Sequence, residues 1–408
     1  MSVSATSNSH YDIVIVGAGM VGAAAACLLA HSSKHCKTGP LSIALIEANA
    51  ASPFDAGQFD SRVAAITEKS RQLLERCGVW SAIAGRRVSP FQAMEVWDAE
   101  GTGRIHFNCA EIEQPNLGHI IENSLMVEAL LAEVAVLENI DFICPAKIVD
   151  YQQAEEGLGL ELDDGRYLQA KLLIAADGAN SSIRQYFNFS TKEWDYGHKA
   201  IVSTIQTECP NQQTAWQRFM PTGPLAFLPL NNNGDLHQCS IVWSQETEVA
   251  DSLLSLDDQQ FCDQLSAASE HCLGKVLAVE TRFAIPLRQR HAANYVAHRV
   301  ALLGDAAHTI HPLAGQGANL GFADVTALVD EIERAVARGN DIGELSTLTR
   351  YQRRRKPDNL TTMAAMEGFK RLFGADNLGL RLLRNMGMSK LNGIRPLKNT
   401  IIKKAMGL

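Results

Sequence analysis

Gly304, Asp305, His308, His311, Pro312, Gly315, Gln316, Gly317, Asn319, Leu320 and Gly321 fall within one short stretch of a 408-residue chain. This mixture suits a flat or phosphate-bearing ligand. Glycine lets the backbone approach such a ligand closely, and the N–H groups of a following helix present the positive end of its dipole. A connection this long in a compact domain is usually functional. A second stretch, Gly17-Ala-Gly19-Met20-Val21-Gly22, has the GxGxxG spacing. There Gly17 permits the tight turn, Gly19 the approach of a pyrophosphate, and Gly22 close packing of helix on strand. Glu47 lies 25 residues past Gly22, where a carboxylate can accept both ribose hydroxyls of an adenosine. Asp177-Gly178, followed by Ser181 as a candidate helix cap, forms a third tight turn at a strand end, which by itself reads as a capped turn. Other chemistries lack their residues. No GxSxG elbow or Cys–His signature is present. No His, Cys or carboxylate set has metal-ligand spacing, and loop shape explains His308 and His311 better than zinc does. Basic residues do not interleave with aromatics, so no nucleic-acid partner is expected.

These residues need elements to position them. Tyr11–Val16 is a β-branched run of buried-strand length, followed by an apolar helix over 23–30, and Leu41–Ile46 reads as a second strand. Further strands are expected over 171–177 and 299–303, with helices over 68–77, 124–137 and 322–337. Stretches at 94–98, 200–205, 225–230 and 239–243 are rich in β-branched and aromatic residues, and predict an inserted antiparallel sheet. Such a sheet can form one wall of a substrate pocket at a domain interface. The fold class is therefore α/β: a Rossmann-like dinucleotide domain, an inserted antiparallel sheet and a helical C-terminal region. The expected division is a cofactor domain in three parts (10–85, 118–190 and 286–348), sheet segments at 86–117 and 191–285, and a basic helical region at 349–408.

Composition is that of an ordinary globular protein, 46% apolar and 20% charged. The net charge of −8 is unevenly spread, since residues 350–408 carry 14 Lys/Arg against 3 Asp/Glu. A tail of that balance could dock on an anionic membrane surface or an acidic partner, or form a solvated helical face. Nine scattered cysteines without a CxxC pair argue against a disulfide framework. The polar N-terminus has no apolar signal core, and no apolar run approaches a membrane span. A cytoplasmic protein with at most peripheral contact at the inner membrane is expected.

Gly304-Asp-Ala-Ala-His308 with Pro312, Gly315-Gln316-Gly317 and Asn319 resembles the second FAD fingerprint of the class A flavoprotein aromatic hydroxylases. The form His311-Pro-Leu-Ala-Gly-Gln-Gly-Ala-Asn-Leu-Gly321 is similar to the ubiquinone-biosynthesis branch, the 2-polyprenylphenol hydroxylases. Stretches at 94–98, 117–123, 194–196 and 239–244, and Met406-Gly407, resemble the same branch. The resemblance implies FAD along Gly17, Gly19, Met20, Val21, Gly22, Glu47, Arg62, Asn123, Asp177, Gly178, Gly304 and Asp305, with the segment Pro312 to Leu320 beside the flavin ring. It implies that Arg62 helps control flavin position, that Asn123 and Asp305 lie near the ribityl chain, and that Arg184 is associated with the pyridine nucleotide. The implied reaction uses NAD(P)H or another donor to reduce the flavin. A flavin C4a-hydroperoxide then passes one oxygen to a polyprenylated phenol, with C5 as the ring position. No catalytic acid or base is named by the chain, and the reacting pocket is expected near His311, Pro312 and Gly315. Implied partners are other ubiquinone-biosynthesis proteins and a second copy of the chain. Two alternatives stay open: a hydroxylase of a soluble aromatic acid, for which Arg218 would supply a carboxylate clamp, and a non-catalytic FAD-binding scaffold.

Overall fold

The computed structural model describes residues 9–34, 39–154, 157–310, 316–374 and 377–407. Three sheets organise it. The first begins with Ser9–Val16, whose Ile13, Val14 and Ile15 are fully buried. A strand buried on both faces reads as a continuous apolar run, as expected of a parallel sheet covered by helices. It pairs in parallel with Ile43–Ile46 on one side and Tyr167–Ala175 on the other. Ile140–Ile143 and Val300–Leu302 extend the parallel order outward. The helix Met20–Ser33 follows the first strand and buries an almost unbroken run from Gly22 to Ala30. It lies between the helices Asn123–Val136 and Gln316–Ala337, so small side chains on all sides let three helices approach one another. Its uncapped N-terminus sits at Gly19.

The second sheet has nine strands, with Thr191–Thr207 as its spine. That strand pairs antiparallel with Asp235–Glu246 and Phe283–Ala292. The sheet continues through Gly223–Asn232 and Thr214–Met220 to Ala93–Asp98 and Arg104–Asn108. One pairing departs from the expected antiparallel pattern: Thr214–Met220 runs parallel to Ala93–Asp98, from Thr214 opposite Ala93 to Phe219 opposite Asp98. The two strands are far apart in sequence, so no hairpin turn fixes their direction. The sheet also runs past residue 285, since Phe283–Ala292 and His308–Thr309 both belong to it. A small third sheet has Gly118–Glu122 at its centre, paired antiparallel with Val63–Ile66 on one side and Ser89–Phe91 on the other.

Leu345–Phe373, Leu378–Gly393 and Arg395–Met406 form the helical C-terminal region. Much of its basic charge is spent on the rest of the molecule. Buried Arg384 makes a bidentate pair with Asp98, at 2.6 and 2.9 Å. Lys398 bonds Glu111 at 2.8 Å, and Arg354 pairs with Asp330 at 2.9 Å. Arg355 is buried against Asp324. The region is therefore docked structure along much of its length, rather than a free basic tail. Among the described residues no helix is long and apolar enough to cross a membrane.

Candidate functional site

The three glycine-bearing turns meet at one end of the parallel sheet. Gly17 has φ +99°, and a Cβ there would collide with the Ala176 carbonyl; one at Gly22 would collide with the Gly17 carbonyl. These two glycines are demanded by the protein itself. Gly19 differs, because a Cβ would find no protein atom within 4 Å. It faces open space at an uncapped helix N-terminus, which is an anion-binding arrangement. Glu47 ends its strand beside this loop, where Oε2 accepts from the Ala18 N–H at 2.7 Å.

Arg62 and Asn123 sit side by side at the ends of adjacent strands, with the Asn123 N–H donating to the Arg62 carbonyl at 3.0 Å. The buried Oδ1 of Asn123 has no partner within the protein. Behind them, Glu122 is held by Arg87 at 2.7 Å and accepts from the Asp60 N–H at 2.6 Å. Burial raises the Glu122 carboxyl above the usual range, against the pull of Arg87. His119 packs edge-on to Trp80 at 5.0 Å, and burial pushes its pKa down to about 4. Both residues support the wall rather than face the cleft.

Asp177 Oδ2 accepts from the Ser182 N–H at 2.8 Å, so one oxygen caps the short helix Ser182–Tyr186, while Oδ1 is buried without a partner. Gly178 borders the cleft. Arg184 has a different task from reading a nucleotide. It is buried, and its guanidinium donates to the carbonyls of Ala306 and Ala179 at 2.9 and 2.7 Å. It ties the Asp177 turn to the turn Gly304–Ala306.

That last turn is anchored from beneath by Asp324, which is fully buried. Its carboxylate meets His308 Nε2 at 2.5 Å, Arg355 Nε at 2.8 Å and the Gly304 N–H at 3.2 Å. Burial pushes the Asp324 carboxyl up, but His308 and Arg355 outweigh it and hold it below the usual range. His308 is thus engaged by the Asp324 carboxylate. Asp305 points the other way, into the cleft. It is open to the cleft yet ringed by protein, and this desolvation raises its carboxyl, with His308 and Arg62 pulling against the shift.

The helix expected from Phe322 begins at Gln316. Gly317 and Ala318 border the cleft, whereas Asn319 faces inward. Asn319 Oδ1 accepts from Ser70 Oγ at 2.7 Å and the Thr67 N–H at 3.0 Å, and Nδ2 donates to the Ala65 carbonyl at 2.8 Å. With its amide so occupied, Asn319 fixes the helix start rather than touching a ligand. Leu320 is half-buried and stands off the cleft. His311, Pro312 and Gly315 lie outside the described residues.

The opposite wall comes from the nine-stranded sheet. Ala200 and Val202, Ala226 and Leu228, Ser240 and Val242, and Leu287 share one face and enclose a cleft of about 380 Å³. The β-rich stretches at 200–205, 225–230 and 239–243 predict a wall here, though not which of their residues face the cleft. Period-two alternation along the strands was the available signal. Arg218 stands between Gln217 and Phe219 on the other face, and pairs with Glu270 at 2.7 Å. It cannot serve as a carboxylate clamp in this cleft.

A glycine cradle, an open helix N-terminus and the unpartnered oxygen of Asn123 against an apolar wall fit FAD with its ring toward the sheet. A family model described as "FAD binding domain" matches residues 10–364. The chain is 35% identical to the Ubiquinone biosynthesis monooxygenase COQ6, mitochondrial, of Xenopus tropicalis, over 98% of this chain and 94% of that protein. It is 36% identical to the 3-demethoxyubiquinol 3-hydroxylase of Escherichia coli K12, over 98% and 100% respectively. The p-nitrophenol 4-monooxygenase PnpA of Pseudomonas putida DLL-E4 has a similar fold, with a TM-score of 0.76 at 16% identity over 98% of both chains. The chain belongs to the class A flavoprotein aromatic hydroxylases, in the branch of the ubiquinone-biosynthesis monooxygenases.

Proposed function

We propose that this chain hydroxylates the aromatic ring of a polyprenylated phenol in ubiquinone biosynthesis, at ring carbon C5 of a 2-polyprenylphenol. The observation that carries the reading is the asymmetry of the cleft, which has polar backbone turns on one wall and apolar alternate side chains on the other. Bound FAD, reduced by NAD(P)H or another donor, supplies the oxygen-activating chemistry. Gly17, Gly19 and Gly22 with the helix N-terminus at Met20 would hold its pyrophosphate, and Glu47 its ribose. Arg62, Asn123, Asp177, Gly178, Gly304 and Asp305 would follow the rest of its length, with the start of Gln316–Ala337 at the flavin ring. Ala226, Val242 and Leu287 would press a phenol ring against that flavin and keep water from the reacting centre. The described side chains on the sheet wall present no carboxylate or imidazole at the ring position, so orientation rather than acid–base chemistry is their contribution. Asp305 borders the cleft on the cofactor side, and desolvation raises its carboxyl above the usual range.

A second reading moves the position on the ring. The full-length match to the Escherichia coli 3-demethoxyubiquinol 3-hydroxylase favours a demethoxyubiquinol as substrate. Purified FAD-loaded protein should be given a 2-polyprenylphenol and a demethoxyubiquinol in turn, with a flavin reductant, and the products resolved by mass spectrometry. One oxygen added to C5 of the phenol supports the first reading. Turnover of the demethoxyubiquinol alone supports the second, and FAD binding with neither product favours the scaffold alternative.

Peripheral membrane contact belongs to the same reading, though not every cation of residues 350–408 is available for it, since Arg355 is buried against Asp324. Reversing Arg355 would break a buried ion pair instead of testing a surface. The better candidate surface is on the last two helices and the residue joining them, where Met386, Ile394, Leu397 and Ile401 are exposed, as are Lys390, Arg395 and Lys403. Apolar side chains flanked by cations suit an interfacial helix face on anionic lipid. Leu397→Glu with Ile401→Glu should abolish co-flotation with phosphatidylglycerol vesicles; unchanged flotation removes the membrane proposal.

A further inference from the structure

A second cavity, of about 620 Å³, lies beside the cleft on the same face of the nine-stranded sheet. The two share Pro224 and Ser244. Strand periodicity puts both on one face of the sheet. His198 stands two residues before Ala200, Phe219 two after Gln217, and Gln289 two after Leu287, so each lies on the cleft-facing side of its strand. A bulge between the pairs Asp195–Arg288 and His198–Leu287 bends the spine strand over this region. The roof is the end of the helix Leu345–Phe373. Phe373 stacks on Phe219 with centroids 4.1 Å apart, and Lys370 lies 3.9 Å from the centroid of Tyr196. Trp194 remains half exposed along the wall. From Ala200 to Trp194 the strand covers roughly 20 Å, at about 3.3 Å per residue.

The aromatic lining of Trp194, Tyr196, Phe219 and Phe373 suits an elongated, partly apolar occupant, and the shared Pro224 and Ser244 place it next to the cleft. A dinucleotide fits poorly. The rim carries Asp195, Glu246 and Glu367 against Lys370 and Arg371, and Glu367 is already paired with Arg371 at 2.6 Å. Cations are not in excess there, as a pyrophosphate would require. We propose that this cavity binds the isoprenoid tail of the substrate whose ring occupies the cleft, the chain passing Pro224 and Ser244. The proposal rests on the functional reading above. It adds a reason for that substrate class: the tail would lie along aromatic side chains within the protein while the ring is held at the flavin. The C-terminal helical region then acts as the cover of the tail site.

The test uses FAD-loaded full-length protein, with farnesol as an isoprenoid probe. His198→Trp narrows the cavity and Trp194→Glu puts a charge on its wall; neither residue is fully buried. Wild-type protein is expected to bind farnesol, and each variant to weaken that binding at least about tenfold with FAD content unchanged. The KM for a phenol bearing four isoprene units should rise by a similar factor relative to that for a phenol bearing one. Farnesol binding that both variants leave unaltered overturns the proposal. Equal changes for the long and short phenols overturn it too, as does displacement of farnesol by NAD(P)H. If the wild type hydroxylates neither phenol while the variants still weaken farnesol binding, the functional reading fails and the tail site stands.

Discussion

The two walls of the cleft are built by different means. On the cofactor side, backbone turns are fastened by buried polar ties: Asn319 to Thr67 and Ser70, Arg184 to Ala306, and Asp324 to His308, Arg355 and Gly304. On the sheet side, the ladder of strands sets the position, and Ala226, Val242 and Leu287 need only be apolar and of suitable size. The difference matches what the proposed function asks each wall to meet. A charged dinucleotide needs donors at fixed places, and a turn holds such places only when its own polar groups are satisfied. A hydrocarbon or a phenol ring needs a dry surface, which many side chains can supply. Substitutions on the first wall should therefore act all-or-none, and those on the second by degrees.

The largest effect is expected at Asp324. Asp324→Ala removes the buried carboxylate at Nε of Arg355 and leaves only the exposed Asp358 at Nη1, and loss of one partner of a buried pair typically costs about 3–5 kcal/mol. Urea unfolding of the apoprotein would show the loss, and FAD retention should fall with it. The pH dependence has a definite sign. Because the folded carboxyl lies below its ordinary value, its contribution is complete above the unfolded pKa near 4 and disappears as pH falls through the lowered folded value. A variant that unfolds like the wild type would break the view that this wall depends on polar ties.

Gly22 and Gly19 sharpen the same comparison within one motif. Gly22→Ala drives a methyl into the Gly17 carbonyl and should destabilise the apoprotein. Gly19→Ala meets no protein atom within 4 Å, so apoprotein stability should be unchanged while FAD affinity falls about a hundredfold, or about 2.7 kcal/mol. Differential scanning of apoprotein and fluorescence titration with FAD separate the two. Equal apoprotein stability in both variants would show that Gly22 serves the ligand as well.

His119 gives a smaller effect. Burial lowers its pKa to about 4 in the folded protein, from 6.5. The unfolded chain therefore binds a proton that the folded one refuses, and stability is lost as pH falls from about 6.5 towards 4. At pH 5 the difference is on the order of 2 kcal/mol. His119→Gln should flatten that part of the stability–pH curve, measured by urea unfolding from pH 7 to 4.5. An unchanged slope would place the acid sensitivity elsewhere, with His291, also lowered to about 4 by burial and by His308, as the next candidate.

The contrast between the walls also explains what could be read in the sequence. Gly17, Gly19, Gly22, Asp177-Gly178 and Gly304-Asp305 stand at short, fixed spacings because one turn must satisfy both itself and a phosphate or ring. The parallel strands announced themselves as β-branched runs buried on both faces. Asn319 lay within a recognised stretch, but its tie to Ser70, far away in sequence, depends on a tertiary meeting that no local spacing records. The same holds for Arg355, read as part of a basic surface and found against Asp324. The parallel pairing of Thr214–Met220 with Ala93–Asp98 joins segments more than a hundred residues apart. The wall residues alternate as strands require, yet alternation does not tell which of two buried faces meets the ligand.

Val242 is the position where the sheet wall should show its graded behaviour. It is half-buried, lines the cleft between Ser240 and Ser244, and lies opposite Ala226 across the Gly223–Asn232 pairing. Val242→Phe adds apolar volume where a substrate ring would lie, without touching Gly19, Arg62 or Asn123. FAD content should match the wild type, and kcat/KM for a prenylated phenol should fall about tenfold, equivalent to about 1.4 kcal/mol of lost transition-state binding. Val242→Ile, one methylene larger, should fall between the two. Loss of FAD in either variant would mean that the walls are coupled and that the sheet helps to seat the cofactor. A full loss of turnover in Val242→Ile would mean that this wall, too, demands an exact shape.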